Sequence, residues 1–236
     1  MFSKACSQVR ESVYGILGNS RVNARRVTCT NATAFMIAPG VLCTAAHFVH
    51  VENDPSKPIH TSFEAIRAPD IGQKMETAQL IAEESARDIV LLHIDSPRSN
   101  ICVSLEAKRV PIGTNCGSYG FPLAQVVFTK TGKMFNLVER FQGANISAFL
   151  TLNDPSGQQL SYYETDALMY RGSSGCPGFI TNGNVFGMHI RSRVDKPKGT
   201  SNSSKQTGQA ETRLAISIWV PSMDIINFAK AHGIVV

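Results

Sequence analysis

Short apolar runs cut by turn residues limit what this chain can fold into more than any other feature. Ala34-Phe35-Met36-Ile37, Val41-Leu42-Cys43, Ile89-Val90-Leu91-Leu92, Gln125-Val126-Val127-Phe128, Gly178-Phe179-Ile180 and Val185-Phe186-Gly187-Met188 are separated by stretches rich in Gly, Pro, Asn and Asp. Runs this short, with turn signals between them, read as the strands of an antiparallel barrel or sandwich. Ala38-Pro39-Gly40 is the hairpin turn between the first two. Helical periodicity is scarce. The N-terminal segment reads as a short helix or strand. One clear helix closes the chain: Pro221 at a first-turn position, then Met223, Ile225-Ile226 and Phe228-Ala229, with Gly233 as the stop. A seam is expected near Pro111-Ile112-Gly113-Thr114, after a strand around Cys102, dividing the 236 residues into 1–112 and 113–236. Residues 194–212 are rich in Lys, Ser, Thr, Gly and Gln without an apolar anchor, and are expected to form a flexible loop.

The bulk numbers exclude several classes. A net charge of +5 is mild for this length, and no stretch interleaves basic with aromatic residues, so nucleic acid is not an expected partner. No run of apolar residues is long enough for a membrane span. The first 18 residues are interrupted by Lys4, Arg10 and Glu11 and lack the apolar core of a signal peptide. Cys6, Cys29, Cys43, Cys102, Cys116 and Cys176 show no C-x-x-C pair and no metal-ligand spacing, so no metal and no cofactor are expected. The cysteines read as reduced thiols of a cytoplasmic protein, with a mature secreted form as the other reading.

Chemistry concentrates in three places. Arg171-Gly172-Ser173-Ser174-Gly175-Cys176-Pro177-Gly178 sets a serine between glycines, a turn able to expose a hydroxyl and aim backbone N–H groups at one point. On its own it is equally an ordinary Gly/Ser/Pro loop. His47 follows a strand directly in Thr44-Ala45-Ala46-His47, where a structural histidine is the commoner finding. Asp88 enters the run Ile89-Val90-Leu91-Leu92, so its carboxylate is partly buried and needs a partner, either a nearby N–H, Arg87 or the His47 ring. The order His47, Asp88, Ser174, with gaps of 41 and 86 residues, is that of one known triad arrangement. Four further histidines, His50, His60, His93 and His232, have no matching partners in the sequence. Scattered basic residues such as Arg21, Arg25, Arg26, Lys196 and Lys205 read as solvated surface.

With these residues in place the chain resembles the bacterial and viral branch of chymotrypsin-like serine peptidases, such as HtrA-type proteases and glutamyl endopeptidases. Thr33-Ala34-Phe35-Met36-Ile37 through Cys43-Thr44-Ala45-Ala46-His47 resembles the strand, turn and strand that deliver that family's histidine. Asp88-Ile89-Val90-Leu91-Leu92 is similar to its aspartate strand, and Gly120-Phe121-Pro122 to the turn opening its second barrel. Thr165-Asp166-Ala167, Gly172-Ser173-Ser174-Gly175-Cys176-Pro177 and Ala215-Ile216-Ser217-Ile218-Trp219-Val220-Pro221 complete the match, which runs from about residue 30 to the end. The resemblance implies an all-β protein of two six-stranded antiparallel barrels with a C-terminal α-helix. His47 and Asp88 would come from the first barrel and Ser174 from the second, with Gly172 and Ser174 N–H forming an oxyanion hole.

Departures from the family pattern carry their own implications. Ser173 stands where zymogen-activated trypsins have an aspartate, so activation by a newly cut N-terminus is not expected. Cys176 replaces Gly or Ser and reads as a buried thiol. Phe48 stands in place of the cysteine that follows the histidine in secreted trypsins, so that disulfide is absent. The resemblance makes Leu168, Met169, Tyr170 and Arg171 one wall of the primary pocket, with Met188 and His189 on the other. Leu168 occupies the place of the trypsin aspartate, which argues against Arg or Lys at P1. His189 stands where glutamyl endopeptidases and picornavirus main proteases read Glu or Gln, with Arg191 and Arg193 nearby favouring acidic groups. Met169 stands where those families have threonine. An apolar P1 preference, with His189 structural, is the rival.

Function is thus expected to be a serine endopeptidase acting on proteins or peptides through an acyl-enzyme, either active alone or latent until a regulatory partner binds. A chymotrypsin-like module that grips a peptide without cutting it is the alternative. Hydrolysis of another acyl group would use the same machinery.

Overall fold

The computed structural model describes residues 2–21, 27–129, 132–153, 157–195 and 212–236. Six strands close the first barrel: β1 (Val13–Arg21), β2 (Val27–Ala38), β3 (Val41–Ala45), β4 (Ser62–Arg67), β5 (Glu76–Glu84) and β6 (Ile89–His93). Their order around it is β1-β2-β3-β6-β5-β4. The second barrel holds β7 (Asn115–Gly120), β10 (Arg140–Asn153), β11 (Gln159–Thr165), β12 (Pro177–Ile180), β13 (Val185–Asp195) and β14 (Thr212–Pro221). Read from β7, its order is β7-β10-β11-β14-β13-β12, the same connectivity repeated. All pairings in both barrels are antiparallel.

The apolar runs lack polar alternation because both faces of their strands are covered. Ala34 and Met36 of β2, Leu42 of β3, and Val90 and Leu92 of β6 fill the interior of the first barrel. Their odd-numbered neighbours, Phe35, Ile37, Val41, Cys43, Ile89 and Leu91, point the other way into a second cluster. That cluster is shared between the barrels, because Tyr119, Phe121, Phe179, Met188, Ile218 and Val220 join it from the other side. Trp219, Phe186, Tyr163, Met169 and Cys176 fill the second barrel's own interior.

Several elements differ from the sequence reading. Gln125–Thr129 is a strand, β8, yet it belongs to neither barrel; it pairs only with β9 (Gly132–Asn136) in a hairpin inserted after β7. No strand forms around Cys102. That stretch is tied by Val103 N–H to Met36 O and by a bridge from Leu105 to Val185, isolated contacts that build no ladder. The N-terminal segment holds both a helix, α1 (Ser3–Arg10), and β1. The C-terminal helix is α2 (Ser222–Ala231), and Pro221 is its N-cap, extended at φ −61° and ψ 144°, one residue earlier than a first-turn place. Gly233 follows the helix at φ +75°, a left-handed stop that glycine adopts without strain. The expected loop at 194–212 begins and ends in strand, and its remainder lies outside the described residues. No helix among the described residues is long and apolar enough to cross a membrane.

Candidate active site

Three elements converge at one end of the inter-barrel seam. β3 runs into a single 3-10 turn, Ala46–Val49, which carries His47. The turn between β5 and β6 carries Asp88 at φ +59°, a left-handed conformation that Asp tolerates better than most residues. Ala46 N–H donates to Asp88 O at 3.1 Å, so the two turns are joined through backbone before any side chain acts. His47 N–H then donates to Asp88 Oδ1 at 2.8 Å, and the His47 ring meets Asp88 Oδ2 through Nδ1 at 2.7 Å. An ionised carboxylate only accepts, so Nδ1 carries the proton and Nε2 is left as an acceptor. Ser174 Oγ lies 2.9 Å from that Nε2. The three side chains singled out in the sequence thus form one hydrogen-bonded chain.

The turn that presents Ser174 is held peptide by peptide. Ser173 N–H donates to Tyr170 O at 3.1 Å, closing a β-turn with Gly172 at its third position, φ +85°. A Cβ on Gly172 would lie 2.7 Å from Phe121 O, and one on Gly175 only 1.9 Å from Thr33 O, so both positions require glycine. Arg171 O accepts from Leu123 N–H at 2.6 Å, and Ser173 O from Cys176 N–H at 2.9 Å. In a trans peptide the N–H points opposite to the C=O. Gly172 N–H and Ser174 N–H therefore face away from these anchors, and neither has a hydrogen-bond partner among the described residues. Both residues line a cleft of about 560 Å³ together with His47, Asn31, Leu123 and Arg171.

Beneath the turn, Cys176 is buried, and burial pushes its thiol up to about 11, so it stays protonated and inert near neutrality. Ser173 is fully buried, and its hydroxyl has no partner.

Among the described residues, those expected to wall the primary pocket have different surroundings. Met169 and Tyr170 line a cavity of about 270 Å³ with Phe141, Gln142 and Arg140. Leu168 is tied through its carbonyl to Gln142 Nε2 at 2.7 Å. Ser192 Oγ, three residues beyond His189, donates to Met169 O at 3.3 Å. Met188 faces the shared core, with Cys43 Sγ 3.7 Å from its sulfur. His189 is 3% exposed and packs its ring edge-on to Trp219 at 5.1 Å. The carbonyl-bearing backbone of Ser173 and Arg191 lies near the ring, but neither ring nitrogen reaches hydrogen-bond geometry. Burial lowers its pKa to about 3, so the imidazole is neutral.

Arg191 and Arg193 lie beyond His189 on β13 and line a separate cleft of about 580 Å³ with Leu150, Tyr162 and Ile218. Arg193 pairs with Glu164, whereas Arg191 has no ion pair among the described residues. Other histidines have partners that sequence spacing does not reveal: His50 bonds Glu83, and buried His60 sits between Ser20 and Thr30. Residues to which the sequence reading gave no role of their own also build the site. Thr33, Thr44 and Leu123 anchor the nucleophile turn or the strand beneath it through bonds spanning up to 139 positions, which no local motif announces.

Two matching closed barrels with a Ser-His-Asp chain at their seam define a chymotrypsin-like serine protease. The chain belongs to the trypsin-like peptidase family, whose model matches residues 32–188. Solved structures carry the same fold. The active form of the Rv3671c protease from M. tuberculosis matches with a TM-score of 0.68 at 16% identity, over 98% of this chain and 85% of that one. Its inactive form matches at 0.65 and 16%, over 97% and 92% respectively. No curated protein matches this sequence.

Proposed function

We propose that this protein is an endopeptidase that cleaves polypeptides through an acyl-enzyme on Ser174. The observation carrying this reading is the unbroken chain from Asp88 through His47 to Ser174 Oγ, beside two backbone N–H groups left without partners. Ser174 Oγ attacks the scissile carbonyl while His47 Nε2 takes its proton; the C–N bond then breaks as the same proton passes to the leaving amine. Water repeats the sequence on the acyl-enzyme. Asp88 holds the imidazole in the tautomer that accepts at Nε2 and stabilises the imidazolium. Gly172 and Ser174 N–H receive the oxyanion, each supplying about 3–4 kcal/mol to the transition state. Since the turn already has this form, the enzyme is read as active without a triggering partner.

The substrate reading follows from charge and burial. A neutral, buried His189 has one N–H to offer and no positive charge, which suits the uncharged amide of glutamine at P1 better than a carboxylate. The guanidinium of Arg191, with no ion pair among the described residues, supports an acidic side chain on the substrate segment lying in its cleft.

Labelling with a fluorophosphonate probe tests the central claim. Wild-type protein is expected to label, and Ser174→Ala and His47→Ala to lose labelling while keeping their circular dichroism. A well-folded wild type that stays unlabelled would sink the endopeptidase reading in favour of a peptide-binding module.

A further inference from the structure

The structure assigns to Thr33 the role of a positioning residue that sets the oxyanion hole from the opposite barrel, an inference that rests on the endopeptidase reading of Ser174. Four consecutive peptide units run from Arg171–Gly172 to Ser174–Gly175. Together they carry four C=O and four N–H groups, and among the described residues every one has a partner except the two N–H groups of Gly172 and Ser174. Thr33, a residue of β2 in the first barrel, holds two of the four carbonyls. Its Oγ1 donates to Gly172 O at 3.0 Å, and its N–H donates to Ser174 O at 2.9 Å. The two peptides it grips are also tied at their other ends, Ser173 N–H to Tyr170 O and Gly175 N–H to His189 O. They are therefore fixed as rigid planes on either side of the Ser173–Ser174 peptide. Rotation of the Arg171–Gly172 peptide, which would turn its N–H out of the cleft, breaks the Leu123 N–H bond to Arg171 O, while Thr33 holds the next peptide and so denies the turn a concerted shift.

The threonine is itself held. It is fully buried; its Oγ1 accepts from Phe121 N–H at 3.0 Å, and its own C=O accepts from Thr44 Oγ1 at 2.6 Å. Phe121 N–H is two residues from Leu123, whose N–H anchors Arg171 O. One hydroxyl thus couples the segment that fixes the first oxyanion donor to the carbonyl that follows it. A hydroxyl is what this place needs, because a single proton must go to Gly172 O while a lone pair receives Phe121 N–H. Valine keeps the shape and loses both bonds. Serine keeps both.

The test compares Thr33→Val and Thr33→Ser with wild type in fluorophosphonate labelling, read as the maximal inactivation rate and the apparent probe affinity. The probe's phosphoryl oxygen needs the same two N–H groups as a substrate oxyanion. Thr33→Val is expected to lower the maximal rate by about 10- to 100-fold, below the loss from deleting a donor outright, with probe affinity within about twofold and Thr33→Ser near wild type. The His47 Nδ1–H proton resonance should not move, since the His47–Asp88 pair is untouched. A wild-type rate in Thr33→Val, an equal loss in affinity, or a serine variant as slow as valine would overturn the assignment. If Thr33→Val does not fold, Thr33→Ala takes its place in the comparison, and a rate kept in alanine overturns it equally. A wild type that does not label overturns the endopeptidase reading instead.

Discussion

Asp88 shows how much one residue's backbone can contribute to chemistry. Its left-handed φ of +59° turns the carboxylate so that one oxygen takes His47 N–H and the other takes the ring. Asparagine tolerates the same φ and keeps the shape, but its NH₂ cannot accept from Nδ1–H. Asp88→Asn should therefore fold normally and lose about four orders of magnitude in turnover or labelling rate; a loss under tenfold would show that the carboxylate is not orienting the ring. His189 yields a second prediction at this scale. Its pKa is depressed by burial, so it stays neutral throughout the working range, and a P1 glutamate must enter beside an uncharged ring. Glutamine should be preferred by tenfold or more near pH 8, roughly 1.4 kcal/mol. As pH falls toward about 4–5, a glutamate side chain takes up its own proton and resembles glutamine, so the ratio should narrow. A charged His189 would do the reverse, favouring glutamate more strongly as pH drops through about 6.5, and a peptide library read at several pH values separates the two.

Among the elements, β13 joins the nucleophile turn to the cleft proposed for substrate recognition. It passes from Met188 in the shared core, through His189 under the nucleophile turn, to Arg191 on an open cleft. Neighbouring residues of a strand face opposite ways, so Arg191 can meet solvent while Ser192 bonds Met169 O. Arg191→Glu should lower kcat/KM for peptides with an acidic residue N-terminal to the cleavage site by about 10-fold or more and leave neutral peptides nearly unchanged, an effect that weakens with added salt. Equal loss for both peptide sets would assign Arg191 a structural part only. The elements also show what could be read beforehand. β2, β3, β6, β12 and the start of β13 are covered on both faces and were plain as apolar runs. β10, the longest strand, reads Arg140 to Asn153 with mostly exposed or half-buried positions, so hydrophobicity does not mark it. β8 looks like a barrel strand because Val126-Val127-Phe128 is as apolar as the barrel runs; only its pairing, with β9 alone, tells them apart. Ser174, His47 and Asp88 stood out through local turn chemistry and order in the chain. Thr33 did not, because its importance lies in bonds to the other barrel.

At the scale of the molecule, each end of the chain crosses to the barrel it does not begin in or belong to. α1 precedes the first barrel, yet Phe2 packs on Phe141 and Phe179 of the second, at ring distances of 5.6 and 6.1 Å. Ala5 and Val9 enter the shared core, and Arg10 pairs with Glu139 at 2.7 Å, beside Tyr119. That pair is about a third exposed on the arginine side, so it adds at most about 1 kcal/mol, and the apolar contacts carry the attachment. α2 follows the second barrel, and its Asp224 approaches Arg87 of the first at 3.8 Å. Ile225, Phe228 and Ala229 of the same helix join the shared cluster. With strands of both barrels and both helices packed into one core, neither barrel can lose its partner without exposing the faces of β2, β3, β6 and β13. Unfolding should therefore be a single transition, although each barrel closes its own sheet. Calorimetry of the wild type should give one peak. Val9→Asp, which buries a charge in that core, should lower its Tm by roughly 5–10 °C without splitting it. Fluorophosphonate labelling should disappear across the same temperature interval, because His47 and Ser174 come from different barrels. Two resolved peaks in either protein, or labelling that outlasts the first of them, would mean that the barrels fold independently and that the site depends on their docking alone.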